Sequence, residues 1–188
     1  MESRSTQSGF TISGRIDKQV HDVDELREEY PNWDEMSKQE KMSAIREVEP
    51  ATQETVYNVT TDRFHEYIVD NLDPAQTAAK DNVSSSHLAL GTDAASGTAT
   101  TDTDLNTRAY NEPVTDHADN GKELLASTFL DSTEGNGNTF DELGLFTGDP
   151  NNLGNAEVFM LNHATFASVT KDNTKTVTFD VTLQFSDV

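Results

Sequence analysis

His65 followed by Glu66 begins a zinc-hydrolase pattern, in which two imidazoles one helical turn apart face a single metal and the glutamate acts as base. The second histidine would stand at position 69, which is Val69. The other histidines, His21, His87, His117 and His163, show no ligand spacing. The twelve residues 131–142 open on Asp131 and close on Glu142, as a helix-loop-helix calcium loop does. Such a loop wants oxygen ligands at its third and fifth positions and glycine at its sixth. Here those positions hold Thr133, Gly135 and Asn136, so the stretch reads as a hairpin turn. No serine stands in the glycine-flanked elbow of an esterase, and no phosphate-cradling glycine motif occurs. Carboxylates are too frequent for any one pair to be singled out as acid and base. These residues predict neither an enzyme nor a metal or cofactor site.

The elements that would position side chains fall into two stretches. In residues 1–55, Phe10 and Ile12 alternate with small polar residues between Gly9 and Gly14, a pattern that becomes a strand on contact with a partner. From Val20 the spacing of Val23, Leu26 and Tyr30 predicts a helix ended by Pro31. Ser37 and Glu40 form a capping box ahead of a second stripe, Met42, Ile45 and Val48. Both stripes are too narrow to bury alone, so this segment is expected to be a docking arm. A short strand at 55–59 leads to a helix at 63–72, capped by Thr61 or Asp62 and carrying Phe64, Tyr67, Ile68 and Leu72 on one face.

After a linker at 73–86, strands are predicted at 87–90, 105–110, 123–131, 140–146, 156–166 and 177–185, with a small-residue loop at 91–103. Gly144 predicts a bulge or a close backbone approach. The last strand alternates strictly: Val177, Phe179, Val181, Leu183 and Phe185 face one way, and Thr178, Asp180, Thr182 and Gln184 the other. The expected fold is mainly β. It is an antiparallel β-sandwich or jelly-roll-like domain over 56–188 with one packed helix, preceded by a short helical N-terminal region.

The chain carries 34 acidic and 13 basic side chains, a formal net charge of −21. The excess is spread out: 17 acids and 9 bases in residues 1–80, 17 acids and 4 bases in the remainder. At about 0.1 M salt, charges within a Debye length of roughly 10 Å repel one another, whereas molar salt cuts that length to about 3 Å. The composition therefore predicts a salt-adapted protein, and it disfavours a nucleic-acid partner, which needs a basic footprint. There is no cysteine, so disulfides and thiolate metal sites are excluded. The sequence predicts neither a signal peptide nor a membrane span. Two sequons begin at Asn58 and Asn82.

Residues 58–188 resemble small structural proteins encoded among the tail, baseplate and fibre genes of tailed viruses. The similarity rests on Asn58-Val59-Thr60, the 63–72 helix, and Leu88-Ala89-Leu90-Gly91-Thr92 followed by a threonine-rich loop closing on Thr103-Asp104-Leu105. It continues through Asn136-Gly137, Glu142-Leu143-Gly144-Leu145-Phe146, Ala164-Thr165-Phe166, Lys171-Asp172 and the final alternating strand. The strand lacks a Trp found in relatives, and residues 1–55 match nothing in the pattern.

With the salt-adapted composition, the resemblance implies a virion protein of a haloarchaeal tailed virus, at the tail tip, baseplate or fibre. The alternatives are a head-vertex or capsid decoration protein, or a module binding a host-surface glycan. The implied partners are other virion proteins and further copies in a ring or trimer, with no nucleic acid and no membrane. The expected assembly core is Val177, Phe179, Val181, Leu183, Phe185, Leu143, Leu145 and Phe146. The expected docking residues are Phe10, Ile12, Val23, Leu26, Tyr30, Met42, Ile45 and Val48.

Overall fold

The computed structural model describes residues 10–72 and 85–187. Its strands are β1 (Phe10–Asp22), β2 (Thr52–Thr60), β3 (His87–Gly91), β4 (Arg108–Pro113), β5 (Asp116–Asp119), β6 (Glu123–Leu130), β7 (Thr139–Phe146), β8 (Met160–Thr170) and β9 (Lys175–Asp187). They form one antiparallel sheet in the order β4-β3-β7-β8-β2-β1-β9-β6-β5. Helices α1 (Val23–Glu29) and α2 (Lys38–Ile45) lie between β1 and β2, and α3 (Asp62–Leu72) follows β2.

The mainly β, antiparallel expectation holds, but the sheet is continuous and curled. β2 pairs with β1 over residues 52–58 and with β8 only at Val59 and Thr60, so one strand passes from one half of the sheet to the other. On the opposite side only Val114 and Thr115 separate β4 from β5, and their N–H groups donate to the carbonyls of Ser86 and Ser127 at 2.8 Å each. The two halves therefore face each other across one core. Ile16, Phe179, Val181 and Leu183 meet Leu88, Leu90, Leu143, Leu145 and Phe166 there.

The alternation of β9 sets this packing: Val177, Phe179, Val181 and Leu183 are buried, and Phe185 packs half-buried against them. α3 adds Phe64, with Tyr67 and Ile68 behind it. Its first turn is fixed as the capping rule requires, the Thr61 hydroxyl accepting from the N–H of Phe64 at 3.2 Å.

The N-terminal segment departs from expectation. Residues 10–55 are not a detached arm: β1 is a thirteen-residue strand between β2 and β9, and it continues through positions where a helix was predicted. Ile12, Gly14, Ile16, Lys18 and Val20 share its inner face, and a glycine and a lysine among them break the apolar period that would have revealed it. The helices are inserted after this strand and do not precede the β domain. Val23, Leu26, Met42 and Ile45 are buried with Trp33 and with Phe129 of β6, while Tyr30 and Val48 pack half-buried beside them. Residues predicted to dock on a neighbour thus form a second core on the outer face of this chain's own sheet. Ile12 packs against the main core. The backbone of Phe10 opens β1, but its side chain lies outside the described part, as do Asn82 and most of the 73–86 linker.

Candidate functional site

Glu142 organises the outer face of the other half. A bulge between Phe140 and Glu142 turns Glu142 away from the main core, and its register partner is Gly91 of β3. The carboxylate is fully buried. Oε1 accepts the N–H groups of Thr107 at 2.8 Å and Asp93 at 3.3 Å. Oε2 accepts the N–H of Asn106 at 3.1 Å and lies 3.0 Å from His163 Nε2. Gly91 makes room for this: a Cβ there would stand 2.2 Å from Oε1. Gly144 serves the same face, since a Cβ on it would meet Met160 Sδ at 2.7 Å. The predicted close approach is therefore found.

His163, also fully buried, faces Glu142 with one ring nitrogen and Asp102 with the other, Nδ1 lying 2.7 Å from Asp102 Oδ2. That Asp102 oxygen also accepts the N–H of Ala99 at 2.7 Å. Asp141 accepts the N–H of Ala94, and the Asn106 amide donates to the carbonyls of Asp93 and Gly97. The N–H of Asp62, in the first turn of α3, donates to the Thr100 carbonyl at 2.7 Å. A loop of small residues at 92–107, with little to bury but Leu105, is thus tied at four backbone N–H groups to Glu142 and Asp141 of β7 and braced within itself by Asp102. It is largely solvent-exposed. Three backbone N–H groups donate to Glu142 and the His163 ring lies against it, so the arrangement anchors the loop.

The second constellation is the 131–138 turn, held by cations. Lys41 Nζ donates to Asp131 at 2.7 Å and sits over the Trp33 ring, 5.4 Å from its centroid. Burial pushes the Asp131 carboxyl up, but Lys41 and the N–H of Ser132 outweigh it and hold the group below its ordinary value. Lys38 bridges Glu134 at 2.9 Å and Glu112. Lys171 Nζ, fully buried, donates to Asn136 Oδ1 and the Asp172 carbonyl, 2.9 Å each. Burial lowers its pKa to about 8. Where β2 leaves β8, Lys18 Nζ donates to the Ala167 carbonyl at 2.5 Å and Glu54 accepts the Ala167 N–H at 3.0 Å. The pair, 2.6 Å apart, satisfies both the carbonyl and the N–H of Ala167.

The motif residues weighed for metal chemistry do not come together. His65 Nε2 lies 2.8 Å from Thr60 Oγ1, and Glu66 pairs at 3.4 Å with Arg63. Asp131 and Glu142, the ends of the calcium-like stretch, serve different constellations. Among the described residues no group of three or more His, Asp or Glu side chains is arranged to hold a metal ion. Of the expected core, Leu143 and Leu145 lie in the main core, whereas Phe146 belongs to the cluster under the 92–107 loop with Ala89, Leu105 and Met160.

The pieces Leu88–Thr92 and Glu142–Phe146, read above as separate parts of a viral pattern, are neighbouring strands paired Gly91 to Glu142 through His87 to Phe146. Asp102, His163, Lys18 and the buried role of Lys171 were not legible. The available signal was Glu142 standing directly before the apolar run 143–146. No protein-family model, curated protein or solved structure matches this chain.

Proposed function

We propose that this chain is a non-catalytic structural protein of a virion, an assembly component at the tail tip, baseplate or fibre of a haloarchaeal tailed virus. In this reading the curled sheet serves as the sandwich- or jelly-roll-like body, and copies associate in a ring or trimer with other virion proteins. The observation that carries the reading is the Glu142 clamp. It spends a buried carboxylate on holding an exposed loop of small residues in one shape, and a pre-ordered surface loses little entropy when it meets a partner. Internal use of scarce cations fits the same picture. Lys18, Lys38, Lys41 and Lys171 are engaged within the fold, which leaves an acidic exterior suited to high salt.

Electron microscopy of purified particles carrying a tagged copy tests the assignment. Density for the tag at the tail tip, baseplate or fibre is expected. A tag on the capsid selects the decoration alternative, and absence of the protein from particles overturns the reading. On transfer from molar to about 0.1 M salt the melting temperature should fall; a constant value would remove the salt-adapted part of the argument.

A further inference from the structure

Lys171 is a buried nucleophile that neither clamp fully accounts for. Its side chain is completely buried, yet both of its hydrogen bonds go to neutral oxygens, the Asp172 carbonyl and the side-chain carbonyl of Asn136. An ammonium without a contacting carboxylate is costly in such a place, and a neutral amine is favoured. Burial accordingly brings its pKa down to about 8, so the free amine is within reach near neutrality. Lysine amines desolvated in this way are nucleophiles.

The electrophile is held in position. The Asn136 side chain is fixed from both ends: its Nδ2 donates to the Ser132 carbonyl at 2.7 Å, and its Oδ1 accepts from Lys171 at 2.9 Å. The backbones are locked as well, because the N–H of Gly137 donates to the Lys171 carbonyl and the N–H of Lys171 to the Asn138 carbonyl, both at 2.9 Å. The amine is thus held at hydrogen-bond distance from the amide it would attack, which removes the cost of bringing the two groups together.

We infer that Lys171 and Asn136 join in an intramolecular isopeptide bond. Lys171 Nζ, as the free amine, attacks Asn136 Cγ and forms the N–C bond. One amine proton passes to Nδ2, the Cγ–Nδ2 bond breaks, and ammonia leaves through the exposed side of Asn136. Lys171 nitrogen keeps one hydrogen as a neutral amide, so the buried charge is removed, and no oxidant or co-reactant is consumed. Asp172, Asp131 and Glu134 are the carboxylates whose charge reaches this amine, and Lys175 opposes them. The product staples the start of the β8–β9 turn to the β6–β7 turn in a chain that has no cysteine for a disulfide.

The test is the intact mass of the full-length protein, kept in molar potassium chloride above pH 8 until the mass is constant. The expected result is the sequence mass less one ammonia, and a tryptic digest in which the peptides containing Asn136 and Lys171 are joined and cleavage after Lys171 is blocked. Lys171→Arg and Asn136→Ala should each show their full sequence mass. Because Asn136 is exposed, the alanine variant should keep the wild-type circular dichroism and show only a lower melting temperature. A wild-type protein that retains its full mass overturns the inference. Loss of ammonia that persists in Lys171→Arg also overturns it, since that is closure of Asn136 onto the backbone nitrogen of Gly137.

Discussion

The two halves of the sheet hide their outer faces by opposite chemistry. Over β6, the inserted helices lay Val23, Leu26, Trp33, Met42 and Ile45 on Phe129, with Trp33 and Phe129 edge to face at 86°. Over β3, β7 and β8 the cover is a loop of Gly, Ala, Ser and Thr that has almost nothing apolar to give, and hydrogen bonds to Glu142, Asp141 and Asp102 hold it. An apolar cover degrades gradually, because neighbouring side chains can partly refill a lost volume. A carboxylate anchor fails as a unit, because each N–H it abandons is left in a dry place without a partner.

Substitutions should separate the two regions, and the largest effect belongs to the core they share. Phe179→Ala should cost about 3–5 kcal/mol and lower the protection of both faces together in hydrogen exchange. If one face kept its protection, the single-core picture would be wrong. Next comes Glu142→Gln, which keeps the shape but turns an acceptor into a donor before several N–H groups. A loss of roughly 1–3 kcal/mol is expected, with Asp93, Asn106 and Thr107 amides exchanging faster and the helical insertion unchanged. Equal loosening of the helices would show that the faces are coupled.

Ser37→Ala removes the α2 capping box and should cost about 0.5–2 kcal/mol, felt over the helices and not in the 92–107 loop. The smallest effect is a pH slope. Burial holds His21, whose Nε2 lies 3.3 Å from the Val48 carbonyl, below its ordinary pKa. The unfolded chain therefore takes up this proton first as pH falls. The stability from neutral His21 is complete above about pH 6.5 and is lost as pH drops toward the lower folded value, by no more than about 1.4 kcal/mol per pH unit. Melting curves of His21→Gln against wild type across that window should differ in slope, and parallel curves would remove His21 from the account.

Legibility followed the source of each element's information. The β9 alternation predicted its inner residues because every second side chain of a strand faces one way whatever the partner. α3 was readable from Phe64, Tyr67 and Ile68. β1 was readable only at Phe10 and Ile12, because Gly14 and Lys18 occupy its inner face beyond them: glycine fits beside the Asn58 side chain, and lysine is neutralised by Glu54 from the next strand. β4 was placed three residues too early for a related reason, and β5 was read as a turn. Leu105, the apolar residue that suggested a strand, lies under the 92–107 loop, and the strands begin only at Arg108.

The sequence by itself determined the β-rich character, the α2 cap, the amphipathic α3, the close approach at Gly144 and the excess of acid, since each depends on composition or on residues a few positions apart. Only the tertiary structure decided that the helical stripes close on Phe129 of their own chain, and that a single strand, β2, joins the two halves. It also decided that His163 stands between Asp102 and Glu142. Those two contacts span 61 and 21 positions along the chain, and a buried carboxylate acquires its partners from whichever backbone the curled sheet carries past it.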